Sequence, residues 1–144
     1  MSKLIAKISI VLCIITMFSL PVYATNWKSV GINRSGAHTY LDLDSIEKID
    51  ENTAIFWLRG IDAKKGVIGY IHTMLNKETN EYTMTKLSLY NLNGQLMGMF
   101  NLSEISEMSK TNPNPRKKPF NNKYKASNND RETQQIKKLI WPNY

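Results

Sequence analysis

The sequence predicts an α+β fold: a single antiparallel β-sheet of about six strands, a meander, covered by a C-terminal α-helix. Three observations carry this expectation. Runs rich in β-branched and aromatic residues recur between Trp27 and Phe100, which suits a pleated, half-buried surface. Short polar turns separate them, and tight turns join strands antiparallel. Near the C-terminus Ile136, Leu139 and Ile140 fall at i, i+3 and i+4, one face of a helix.

Each element follows from local chemistry. Residues 27–31 form a first strand anchored by Trp27 and Val30, and Asn33, Arg34, Ser35 and Gly36 a turn. Residues 38–43 alternate, with Tyr40 and Asp42 on one face and Leu41 and Leu43 on the other. Asp44 is placed to cap one helical turn through Glu47. Residues 53–61 are the strongest strand, dense in Thr53, Ile55, Phe56, Trp57 and Ile61. Trp57 is expected under the C-terminal helix or inside the sheet, with Ile55 on the opposite face. Strands over 67–75, 82–90 and 95–100 follow, the last two joined by Asn93-Gly94, a strong hairpin signal. Asp130 can cap a helix over 131–141, whose polar side carries Lys137 and Lys138 near the C-terminal end, where cations suit the dipole. Pro142 stops it.

Residues 1–24 have the pattern of a secretory signal peptide. Lys3 and Lys7 form a positive start, an apolar run spans 8–20, and Val22-Tyr23-Ala24 offers small residues at a cleavage site between Ala24 and Thr25. The run is too short for a spanning helix, so no transmembrane segment is expected after cleavage. The sole cysteine, Cys13, lies in this segment and follows Leu12, an unsuitable setting for lipid attachment. The mature chain then has no disulfide, thiol nucleophile or cysteine metal site. Its 144 − 24 = 120 residues must rely on a hydrophobic core.

Charge is unevenly spread. Residues 25–109 carry 8 basic and 10 acidic side chains, whereas 110–144 carry 9 basic and 2 acidic. The organisation expected is therefore a signal peptide over 1–24, a sheet domain over 25–109, a basic Pro/Asn/Lys-rich linker over 110–129 and a C-terminal helix over 130–144. The linker is too poor in aliphatics to fold alone. Its Arg116, Lys117, Lys118, Lys123 and Lys125 are the candidate contact for a partner, either a protein or an anionic glycan or lipopolysaccharide. Nucleic acid would meet the same electrostatics, but export makes it an unexpected partner.

No phosphate loop, dinucleotide fingerprint, nucleophile elbow or metal-ligand spacing occurs. Neither a catalytic residue nor a cofactor or metal site is expected. The two histidines, His38 and His72, sit on separate strands without a third ligand. Asp42, Asp44 and Glu47 lack a glycine-centred calcium loop. Trp27, Tyr40, Phe56, Trp57, Tyr70, Tyr82 and Tyr90 could line a groove, but aromatics at strand spacing are expected in a core. Met74, Met84, Met97 and Met99 are expected to fill gaps there.

The run Trp27-Lys28-Ser29-Val30-Gly31, then Thr39-Tyr40-Leu41-Asp42 followed by Asp44-Ser45-Ile46, residues 53–58 with Trp57 in mid-strand, and the strand 82–90 together resemble the surface-adhesin protein E family of Gram-negative bacteria. The resemblance spans roughly half the chain and rests on core and turn positions. It implies a small antiparallel sheet with a C-terminal helix, exported to the periplasm or outer surface. The family's founding member binds host matrix and serum proteins. The chain differs from many relatives in lacking a sheet-to-helix disulfide and a lipid-attachment site. The function expected is thus an exported, non-enzymatic binding protein. The alternative is a small periplasmic structural, stress-associated or inhibitor-type protein acting on bacterial envelope partners.

Overall fold

A computed structural model describes residues 26–33, 35–111, 118 and 120–143. The expected signal peptide, its cleavage point at Ala24 and Thr25, and Arg116 and Lys117 lie outside the described residues. The chain runs β1 (Trp27–Ile32), β2 (His38–Asp42), a 3-10 turn (Leu43–Ser45), β3 (Glu47–Lys48), β4 (Thr53–Asp62), β5 (Val67–Asn76), β6 (Glu81–Asn91), β7 (Leu96–Asn101), α1 (Leu102–Thr111), β8 (Lys123–Lys125) and α2 (Arg131–Ile140). One antiparallel sheet has the order β1-β2-β4-β5-β6-β7, with β3 beside β4 and β8 beside β6. The fold is therefore α+β, with the C-terminal helix packed on the sheet.

Side-chain alternation divides the sheet into two unlike faces. On β4, Ala54, Phe56 and Leu58 are buried. The register sets Ala54 opposite Leu75, Phe56 opposite Thr73 and Leu58 opposite both Leu41 and Ile71. Ile136, Ile140 and Trp141 of the C-terminal helix complete this core with Val30 and Tyr82. Val30 sits at a bulge. Ser29 and Gly31 pair with consecutive β2 residues while Val30 is skipped, and Gly31 takes φ +139°, which an L side chain would resist.

Trp57 lies on the other face, together with Ile55, and Phe56 takes the place beneath the helix. Residues two apart on a strand share a face, so Ile55 and Trp57 could not be separated. Met97 and Met99 also leave the core: they sit on the edge strand β7, 60% and 69% exposed.

Of the segment expected as a solvated linker, the described residues from Phe120 to Ala126 are engaged with the rest of the fold. Residues 102–111, given no element by the sequence, form α1, with Leu102 and Ser106 buried. Phe120 N donates to Ser109 Oγ at 2.7 Å, and Ser106 Oγ donates to Phe120 O at 3.3 Å. Met84 N donates to Asn122 O at 2.9 Å, and Asn122 Nδ2 donates to Met84 O at 3.0 Å. β8 then pairs with Glu81, Tyr82 and Thr83. The physical reason is an open edge: β7 pairs with β6 only from Lys86 onward, so the earlier part of β6 has backbone groups to satisfy.

Polar contacts fix the register of α2. Asp130 Oδ2 accepts from Thr133 N at 2.9 Å and from Thr133 Oγ1 at 2.6 Å. Tyr82 Oη donates to Thr133 Oγ1 at 3.0 Å. Burial pushes the Tyr82 phenol well above its usual pKa, which keeps it a donor. Lys137, expected on the polar side, is instead 2% exposed and donates to Asn80 Oδ1 at 2.9 Å. Lys138 is exposed as expected.

The two faces should respond differently to truncation. Phe56→Ala is expected to cost about 3–5 kcal/mol, the range for a buried aromatic. Trp57→Ala should cost less than half of that, because its ring is only half-buried. Urea denaturation of both variants checks this; equal losses would place Trp57 in the core.

Candidate functional site

The face opposite α2 carries a continuous aromatic surface. Trp27 on β1, Tyr40 on β2, Trp57 and Arg59 on β4, Tyr70 and His72 on β5 and Tyr90 on β6 are each half-buried. Pairing explains why these residues meet. Tyr40 is opposite Arg59, Arg59 opposite Tyr70, and Trp57 opposite His72. Trp27 and Tyr70 pack edge to face with centroids 5.9 Å apart, and Tyr70 and Tyr90 do so at 5.5 Å. The Trp57 and His72 rings lie 4.9 Å apart. Arg59 makes two cation–π contacts, its guanidinium carbon 4.7 Å from the Trp27 centroid and 4.8 Å from that of Tyr40.

Beside this cluster a hollow of about 590 Å³ opens to solvent, lined by Trp27, Asp42, Trp57, Tyr70, Ser88 and Tyr90 among others. Its size falls within the range of small-molecule sites. None of its lining residues comes from a helix. Strand spacing alone places these aromatics in a core. Only Phe56 and Tyr82 of the seven are in the core. The signal that separates them is parity along each strand, set against which side the helix covers.

A second cleft, about 700 Å³, lies between the N-terminal end of α2 and the helix-covered face. Leu58, Ile71, Met84, Tyr82 and Tyr124 line it, with Asp130, Glu132 and Thr133 at its polar side. Asp130, Thr133 and Tyr82 already satisfy one another there. Burial, then the neighbouring Asp130, raises the pKa of Glu132. This chemistry holds the helix, and the aromatic face is the better candidate for contact with a ligand.

Of the candidate basic residues, Lys118, Lys123 and Lys125 fall among the described ones. Lys118 is exposed in the chain leading to β8. Lys123 and Lys125 are exposed on β8; Lys123 Nζ lies 3.3 Å from Glu81 Oε1, and Lys125 stands opposite Glu81 in register. His38 is on β2 and His72 on β5, with β4 between them. Asp42, rather than Asp44, caps the 3-10 turn, its Oδ1 accepting from Asp44 N at 3.2 Å. Asp44 Oδ2 accepts from Asn26 N at 3.2 Å. Among the described residues no three His, Cys, Asp or Glu side chains come together for a metal ion.

Thr85 Oγ1 lies 2.6 Å from His72 Nδ1 and 3.1 Å from His72 O. Its single hydroxyl proton can serve one of the two, and the tautomer of the ring decides which. Burial, reinforced by Lys86 and opposed by Glu47, lowers the His72 pKa from 6.5. The folded state therefore binds a proton on this ring less readily than the unfolded chain. Its stability contribution is complete above the ordinary value of 6.5 and is lost as pH falls from there through the lowered folded value. Thermal melts between about pH 8 and about pH 5 should show this loss, and His72→Gln should flatten it.

No protein-family model, curated protein or solved structure matches the chain.

Proposed function

We propose that the protein is an exported, non-catalytic binding protein that uses its helix-backed sheet as scaffold and its aromatic face as the contact surface. One observation carries this reading: half-buried aromatic rings line a solvent-open hollow on the face that α2 leaves uncovered, and one of them, Trp27, has Arg59 over its ring. Aromatic and arginine side chains supply most of the energy in protein recognition surfaces. The signal-like residues 1–24 and the resemblance to surface-adhesin protein E support export to the periplasm or the outer surface. Among the described residues no helix is long and apolar enough to cross a membrane. Host matrix or serum proteins and anionic envelope glycans are the partner classes for this reading. The exposed Lys118, Lys123 and Lys125 would add electrostatic attraction, which weakens as salt shortens the Debye length.

The setting of Cys13 after Leu12 favours the alternative of a periplasmic protein that meets only bacterial partners. Protease shaving of intact cells separates the two, since a surface protein is cut and a periplasmic one is spared.

The test of the contact surface is a pair of variants. Tyr70→Ala with Tyr90→Ala should lower retention on immobilised serum proteins or lipopolysaccharide at least tenfold while the near-UV spectrum persists. Lys118, Lys123 and Lys125 changed together to Gln should lower only the salt-sensitive part. Full retention by the tyrosine variant would move the contact elsewhere. Mass spectrometry of the exported protein is expected to find Thr25 as its first residue.

A further inference from the structure

We propose that Arg59 and the adjoining hollow form a recognition site for a carboxylate-bearing saccharide, of the uronic-acid class. This deepens the binding role assigned above to the aromatic face and rests on it. The starting observation is an arginine held ready without an anion. Its guanidinium carbon lies over the Trp27 and Tyr40 rings, 4.7 and 4.8 Å from their centroids. Among the described residues no carboxylate lies within ion-pair distance of it. Its Nε is buried and has no hydrogen-bond partner, whereas its terminal nitrogens are not sealed from solvent. Removing part of a cation from water without pairing it is unfavourable. The cation–π contacts offset some of that cost, and an incoming anion would offset more.

The geometry selects the kind of anion. The terminal nitrogens of a guanidinium form a planar fork that matches the two oxygens of a carboxylate, and those of Arg59 are the ones not sealed from solvent. Asp42 lines the neighbouring hollow. Its charge disfavours a polyphosphate or a densely sulfated chain and suits a ligand with one acid and several hydroxyl donors. Asp42 and Ser88 can each accept a hydroxyl hydrogen bond, and Trp57, Tyr70 and Tyr90 supply apolar ring surface for the C–H faces of a sugar. A peptide is the weaker fit. The hollow lies over β4, β5 and β6, whose backbone groups pair with one another along the ladder, so a peptide main chain would find no strand edge there.

Titration of the mature protein with tri-galacturonate and with neutral galactotriose tests the proposal, followed by calorimetry. The acidic trisaccharide should bind at least tenfold more tightly than the neutral one. Arg59→Gln should abolish that preference, so that the two trisaccharides bind the variant with equal affinity. Arg59→Lys should recover only part of it, because an ammonium keeps the charge and loses the fork. Tyr70→Ala should weaken both sugars. Near-UV spectra and melting temperatures establish that each variant is folded; should Arg59→Gln unfold, Arg59→Lys alone decides. Equal affinity of wild type for the two sugars, or an unchanged preference in the folded Arg59 variants, overturns the proposal. If the Tyr70 and Tyr90 double variant still loses serum-protein retention while neither sugar binds, the saccharide assignment fails and the binding role stands.

Discussion

The structure depends on where the C-terminal helix lands. A single antiparallel sheet has two faces, and this chain has one strongly amphipathic helix able to cover one of them. Ile136 and Ile140 settle with Trp141 on the side that presents Leu41, Ala54, Phe56, Leu58 and Leu75. Removal of those side chains from water is the main favourable term available to a domain without a disulfide among its described residues. Every outward-facing residue then acquires its environment by parity. Tyr40, Trp57, Arg59, Tyr70 and Tyr90 form a surface because their neighbours in sequence form the core.

Hydrophobic burial alone would let the helix slide, and buried polar groups fix its position. Thr133 is held between Asp130 and Tyr82, with its hydroxyl donating to one and accepting from the other. One turn later Lys137 reaches Asn80. Asn80 sits in the β5–β6 turn with φ +54°, and its Nδ2 donates to Asn128 Oδ1 at 2.9 Å. Ala126 N donates to Asn80 O at 2.9 Å. The turn therefore receives both β8 and α2. A misplaced helix would strand several of these groups without partners, at a cost far above that of a lost surface bond.

Much of this architecture was legible in the sequence. The six main strands and the last helix follow from alternation, turn residues and capping, which are local. The misses are non-local. β8 consists of Lys123, Tyr124 and Lys125, with no periodicity of its own, and it pairs because β7 leaves part of β6 unpaired. Lys137 looks solvent-facing by residue type, yet its helix position points it at the Asn80 turn. The aromatic site was visible as a set of residues but not as a surface. Only the helix position separates Phe56 from Trp57, and no short-range pattern in β4 states it. Charge counts along a chain likewise do not say that Glu81 will stand beside Lys123 and Lys125.

The division of labour between the faces explains how Arg59 is tolerated. An under-paired guanidinium in the midst of a core would compete with the packing that stabilises the domain. Here it lies across the sheet from that packing, on the same strand as Phe56 and Leu58 but pointing the other way. Its ring partners come from β1 and β2, which the core already anchors through Val30 and Leu41. Simple alternation from Trp27 to Val30 links the two arrangements. It turns Val30 into the core while Trp27, three residues earlier, stays on the aromatic face beside Arg59. One edge strand thereby serves the stability of one face and the arginine contacts of the other.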